Sequence, residues 1–434
     1  MLKNHPKALR YIFLTEMWER VGFYTLMAIL VLYMDNVLRW SDARKGDWYG
    51  LFLAMCYFFP LAGGWLGDRL LGRLATIKTG AILMATGYIG LAISSATQTT
   101  TFILGLLLVA VGTGIFKVNM SVLVGNIYHD KPQLKDAGFN IFYMGVNLGA
   151  MIAPLLATFN NAIFRSYNLS FWVSGFGLVL ALIIFQSGQK YLKEADDFKQ
   201  KIMKKEASPN SYHPPDSATY RPADREFQDR ILTLSLLFAI VILFWTAFYQ
   251  NGFALTLFAD RSTVKLNWLR PETYQFFEPF FILILTPLLL SWMTRLREAG
   301  KEPTTPRKIF FGMLVMTGAM FIMIAACLKG GNRDENIMSP LWLISTYFVV
   351  TIAEILISPM GLSYVSKVAP DRIRGLMMGG WYLAIAFGSY ASGLLGKLYS
   401  RFPHHQYFMI LAALLALATF LVAVFMKKLE TYGR

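Results

Sequence analysis

Twelve stretches of about twenty apolar residues recur along this chain, each close to the length a helix needs to cross a bilayer. They begin near Tyr11, Trp48, Ala75, Thr101, Gly138, Ser170, Ile231, Thr273, Arg307, Pro340, Arg374 and Gln406. In lipid every backbone N–H and C=O must be satisfied internally, so runs of this length fold as helices packed in a bundle. Composition agrees: 55% of the 434 residues are hydrophobic and only 15% charged, far from a soluble domain. The chain reads as an all-α, polytopic membrane protein. Its first span is too long and too polar at its centre for a cleaved signal sequence, so it is expected to be retained.

Lys and Arg fix the expected orientation, because cytoplasmic loops carry their excess. With the N-terminus inside, 28 of the 41 fall on cytoplasmic segments and 11 on outer loops. Both termini are therefore expected in the cytoplasm. The formal charge of +15 then faces anionic lipid, and no nucleic-acid partner is needed to explain it. Cys56 and Cys327 lie inside apolar spans and read as small buried hydrophobes. Between Gln189 and Arg230 the chain turns to Lys, Asp, Glu, Pro and Ser. This predicts an N-terminal six-helix bundle (1–190), a cytoplasmic linker (191–229) and a C-terminal six-helix bundle (230–434), an arrangement suited to rocking about a site at mid-membrane.

Charge inside the spans narrows the function. Glu16, Glu19 and Arg20 share one helical face in the first span. Ionisable groups at that depth cost several kcal/mol, roughly 2.5–3.5 each on translocon-derived scales, and mark ion or substrate pathways. Lys117, Glu278 and Glu354 add one more cation and two more acids at span depth. Four interior carboxylates facing two cations make a proton carrier available, since burial and neighbouring charge pull carboxylate protonation in opposite directions. An integral-membrane enzyme would need metal ligands or a nucleophile with its base. The five histidines, His5, His129, His213, His404 and His405, lie at termini, loops or helix ends, no HExxH run occurs, and no metal site or bound cofactor is expected.

The run from Gly63 to Arg73, GGWLGDRLLGR, resembles the loop motif of the major facilitator superfamily. The resemblance implies a gating role for Gly64, Asp68, Arg69 and Arg73, with Asp68 bonding the neighbouring helix and both arginines at the inner surface. Phe139 to Ala150 (FNIFYMGVNLGA), followed by Ala153-Pro154, is similar to the fifth-helix signature of the proton-dependent oligopeptide transporter family. Glu16–Glu19–Arg20 resembles that family's first-helix ExxER motif, and Ser358 to Ser363, Lys367 to Pro370, Met377 to Gly379 and Trp381 resemble its tenth and eleventh helices. The match covers both halves.

This resemblance implies the major facilitator superfamily fold and a proton-coupled symporter importing di- and tripeptides by alternating access. Glu16, Glu19, Arg20 and Lys117 would couple protons, the only coupling ion. Arg20 and Lys117 would hold the peptide carboxylate and Glu354 its ammonium. Tyr24, Tyr57, Asn147, Gln250, Glu278, Ser358 and Trp381 would complete the substrate site. It further implies a monomer in a plasma membrane, with short loops pointing to a bacterial inner membrane. Three positions depart from the usual pattern: Met27 replaces a common arginine, Gln250 a common acid, and Glu278 a usual asparagine. The alternative is a carrier of the same fold for another small nitrogenous or anionic solute.

Overall fold

In the computed structural model, which describes residues 5–206 and 224–433, the chain is almost wholly helical. Its long helices are α1 (Ala8–Asn36), α2 (Asp42–Arg69), α3 (Arg73–Ala92), α4 (Thr99–Asn126), α5 (Lys135–Phe164) and α6 (Tyr167–Glu206) in the first half. The second half holds α7 (Asp224–Phe248), a short α8 (Ala254–Arg261), α9 (Phe277–Glu298), α10 (Thr305–Ala326), α11 (Pro340–Val368), α12 (Arg374–Gly396), α13 (His404–Val424) and a short α14 (Met426–Gly433). Among the described residues, eleven segments are long and apolar enough to cross a membrane. Helix α12, rich in Gly and Ser, occupies the place of the expected eleventh span and brings the crossings to twelve.

Helix α1 packs on α5 and α6, α4 on α2 and α3, α7 on α12 and α13, and α10 on α11 and α13. The halves meet where α2 crosses α12 and where α5 lies against the 3-10 turn Pro271–Phe276. At the α2–α12 crossing a Cβ on Gly50 would stand 2.8 Å from the Tyr390 carbonyl, and one on Gly46 would overlap that of Gly393. Small residues let the two backbones touch, as at other membrane helix crossings.

Two boundaries differ from the sequence expectation. Helix α6 continues to Glu206, well into the expected linker, because Lys193-Glu194-Ala195 and the following Lys, Gln and Glu are good helix formers and Leu192 and Ala195 are still buried. Residues 207–223, the centre of that linker, lie outside the described residues. Pro60, Pro154, Pro287 and Pro359 sit inside helices, whereas Pro279 falls in the first turn of α9, where a missing N–H breaks no helical bond. The seventh span is interrupted by a 3-10 turn at Tyr249–Gly252 before α8. The Tyr49 hydroxyl donates to the Tyr249 carbonyl at 2.7 Å and that of Tyr347 to the Asn251 carbonyl at 3.1 Å, so phenols from other helices satisfy backbone groups at the break.

Candidate functional site

The α1 charges lie in the interior, with Glu16 2%, Glu19 0% and Arg20 3% exposed. Arg20 Nε is 3.1 Å from Glu16 Oε1 and 2.5 Å from Glu19 Oε2. These are ion-pair distances without hydrogen-bond alignment, and Glu16 Oε2, Glu19 Oε1 and Arg20 Nη2 are buried with no partner. The fifth-helix signature explains how they come to be there: a Cβ on Gly149 would lie 2.5 Å from the Met17 carbonyl and 2.8 Å from Arg20 Cβ. The glycine lets α5 close over α1 at the cluster.

Lys117 on α4 stands 5.2 Å from the centre of the Tyr57 ring and within electrostatic reach of Arg20, Glu16 and Glu19. Tyr57 in turn packs its ring 5.8 Å from that of Tyr249 across the halves. Tyr24, one turn beyond Arg20, feels the charges of Arg20, Glu278 and Glu354. The interior therefore holds two cations and two acids from the first half and two acids from the second, with Tyr24 in reach of both sets.

Glu354 and Glu278 also act on each other electrostatically, and Glu354 Oε2 is buried without a partner. The Asn251 amide donates to Glu278 Oε2, an interaction that exists because the seventh span breaks at that residue. Ser358 follows Glu354 by one turn of α11 and is half-buried. Asn147 is 4% exposed, its amide donating to the Tyr143 carbonyl at 2.9 Å.

Two expected substrate contacts are spent on packing. Gln250 donates to the Ser392 carbonyl at 2.8 Å and to its hydroxyl at 3.0 Å, and accepts from the Tyr407 hydroxyl at 2.7 Å. With the acid usual at this place replaced by an amide, the side chain ties α12 and α13 together. Trp381 is wholly buried against Gly361, where a Cβ would collide with its ring, and its indole N–H has no hydrogen-bond partner among the described residues. Met27, where an arginine is common, is 8% exposed and lends its carbonyl to Gln275 Nε2 at 3.3 Å across the halves.

The loop motif also departs from expectation. Arg73 is 3% exposed rather than at the surface. It pairs with Asp68 and donates to Asn119 Oδ1 at 2.8 Å, while Asn119 Nδ2 donates to the Gly63 carbonyl at 2.7 Å. Gly72, at φ +75°, turns the chain so that Asp196 of α6 can accept from the backbone N–H of Arg73 at 2.7 Å and cap α3. Arg69 is exposed, and Gly64 meets only the Val118 methyl at 3.9 Å. The close approaches belong to Gly63 and Gly67.

A second charged cluster, not anticipated from the sequence, lies at the far end of the bundle. Lys45, with no exposed surface, pairs with Asp35 and stands 2.5 Å from Asp42 Oδ1. Arg261 of the second half reaches both oxygens of Asp35 at 3.0 Å and Asp42 Oδ1 at 3.2 Å, and Ser400 donates to Asp42. Nearby, Asn161 donates to the buried Glu272 at 2.9 Å and Thr158 bonds Thr273 at 2.7 Å. The only sequence signal was a concentration of opposite charges at span ends, with Asp35 and Arg261 separated by 226 positions in the chain.

Known proteins place these features in one family. The sequence profile of the POT family matches residues 74–212 and 222–411. A dipeptide and tripeptide permease A of Serratia proteamaculans is 30% identical, covering 90% of this chain and 83% of its own. Peptide transporter YePEPT of Yersinia enterocolitica is 28% identical over 91% of this chain and 88% of its own. The crystal structure of a peptide transporter POT with sulfate superposes at a TM-score of 0.87, 27% identical, covering 100% of this chain and 97% of the other. One of a POT family transporter with 5-aminolevulinic acid superposes at 0.85, 25% identical, over 99% and 98%. With a twelve-helix bundle, a charged interior and a profile match over both halves, the chain belongs to the POT family of the major facilitator superfamily, a multi-pass membrane transporter rather than an enzyme.

Proposed function

We propose that the protein is a proton-coupled symporter that imports di- and tripeptides by alternating access. What supports this reading is the buried charge: Arg20 and Lys117 from the first half and Glu354 with Glu278 from the second, with Arg20 and both acids acting on Tyr24. A zwitterion fits that layout, its carboxylate on the cations and its ammonium at Glu354. Glu16 and Glu19 compete with the substrate carboxylate for Arg20. Protonation of either frees the cation for substrate, and its loss toward the cytoplasm restores the internal pair and expels the peptide. Protons are then the coupling ion, and the protein acts as a monomer in a bacterial plasma membrane with both termini inside. Glu278 makes the ammonium side more acidic, which favours cationic peptides.

The test is accumulation of labelled dialanine in proteoliposomes under an inward proton gradient, with unlabelled tripeptide, free alanine, nitrate and 5-aminolevulinic acid as competitors. Gradient-dependent uptake that yields to peptides supports the reading. Displacement by 5-aminolevulinic acid but not by tripeptide would favour a carrier of other small zwitterions, the ligand class found in one structural neighbour. Glu19→Gln should abolish accumulation while leaving exchange of peptide across the membrane. Full accumulation by that variant would remove Glu19 from coupling.

A further inference from the structure

Where α3 and α6 run side by side toward the face that bears the N-terminus, two cavities join at Lys78. One, of about 540 Å³, is walled mainly by Ile82, Leu182 and Ile183. Its neighbour, of about 410 Å³, is lined by Lys78, Lys193 and Asp196. Ile82 and Ile183 are 56% and 58% exposed, so the apolar part opens sideways, toward lipid. Lys78 precedes Ile82 by one helical turn. Lys193 follows Ile183 by ten residues, about 15 Å along the helix. The groove thus changes from apolar to basic over the depth at which a phospholipid changes from chain to headgroup.

The two lysines hold no ion pair with any described residue. The acid in the groove forms no ion pair with them: Asp196 Oδ1 accepts from Arg73 N at 2.7 Å and Oδ2 from Leu74 N at 3.3 Å. Lysines at a membrane surface usually extend to water. Here both instead border one cavity whose other wall suits an acyl chain, and basic recesses between membrane helices recognise anionic headgroups.

We propose that the α3–α6 groove binds one phospholipid of net negative charge, its phosphate between Lys78 and Lys193 and one acyl chain along Ile82 and Ile183. The site lies outside the transport cavity, on the face of α6 that also caps α3. A bound lipid would therefore bridge α3 and α6 beside the Gly72 turn.

The experiment titrates the detergent-purified full chain with phosphatidylglycerol and follows retained lipid by native mass spectrometry and melting temperature. Wild type should retain one phosphatidylglycerol and melt higher with it, with no response to phosphatidylcholine. Losing both lysines in Lys78→Gln/Lys193→Gln should weaken retention roughly 30-fold, and Lys193→Gln alone, at an exposed position, about fivefold. Equal retention of phosphatidylcholine, unchanged retention by both variants, or the same rise in melting temperature from inorganic phosphate would each overturn the proposal, leaving only lysines that extend to water or a simple anion site.

Discussion

At the end of the bundle away from the chain termini, charges of both halves converge on Lys45 and Arg261; at the terminal end, the ties around Arg73 and Glu302 each stay inside one half. Under the proposed alternating access, the difference separates contacts that would break during transport from contacts that would survive it. Taking Lys45, Asp35 and Asp42 out of water costs about as much as their mutual attraction returns. Opening that end gives the hydration back. An ion-paired seal is therefore specific when closed and inexpensive to release, whereas the Arg73–Asp68–Asn119 bonds travel with the first half as one body.

Removing a charge from the far seal should have the largest effect. Lys45→Ala leaves two acids facing Arg261 alone, and stranding buried charge costs about 3–5 kcal/mol. Spin-label distances between the α1–α2 loop and α8 should lengthen and uptake should fall; an unchanged distance would deny the seal its role. Gly393→Val attacks the same end without touching charge, pressing a side chain into the α2 backbone at Gly46 and Gly50. Overpacking of this kind costs about 1–3 kcal/mol, and the label distance should shift in the same direction.

Arg73→Lys tests the terminal end. A lysine keeps the charge beside Asp68 but cannot reproduce the planar reach to Asn119. The melting temperature should fall by an amount corresponding to about 1–2 kcal/mol, with no change in far-end distances. A lengthened distance would erase the contrast between the ends. The smallest effect belongs to Glu302, in the α9–α10 loop, whose carboxyl is lowered from 4.5 to about 2 by Arg297 and then Lys308. Because the folded value is depressed, its contribution is present above about pH 4.5 and is lost as pH falls toward 2. Glu302→Gln should change stability by less than about 1 kcal/mol at neutral pH and flatten the acid limb of a melting curve.

The helices were legible because an apolar run of span length has one outcome in lipid. Glu16, Glu19, Arg20 and Lys117 were legible because charge at such depth is too costly to be incidental. The packing of Gln250 and Trp381 was not legible, since a polar or aromatic residue beside a cavity and one packed between helices look alike in sequence. The extent of α6 was missed for the opposite reason: a polar, well-propensitied segment looks like linker until its first turns are found against a neighbour.

Local chemistry alone thus determined the spans and the interior charges, since each follows from the cost of placing a group in hydrocarbon. Only the tertiary structure decided the partners: Asp35 with Arg261, Asn161 with Glu272, Asn251 with Glu278 at a break in the seventh span. These pairings depend on how two halves, distant in sequence, are set against each other. Hydropathy records a residue's depth but not the neighbour it meets there.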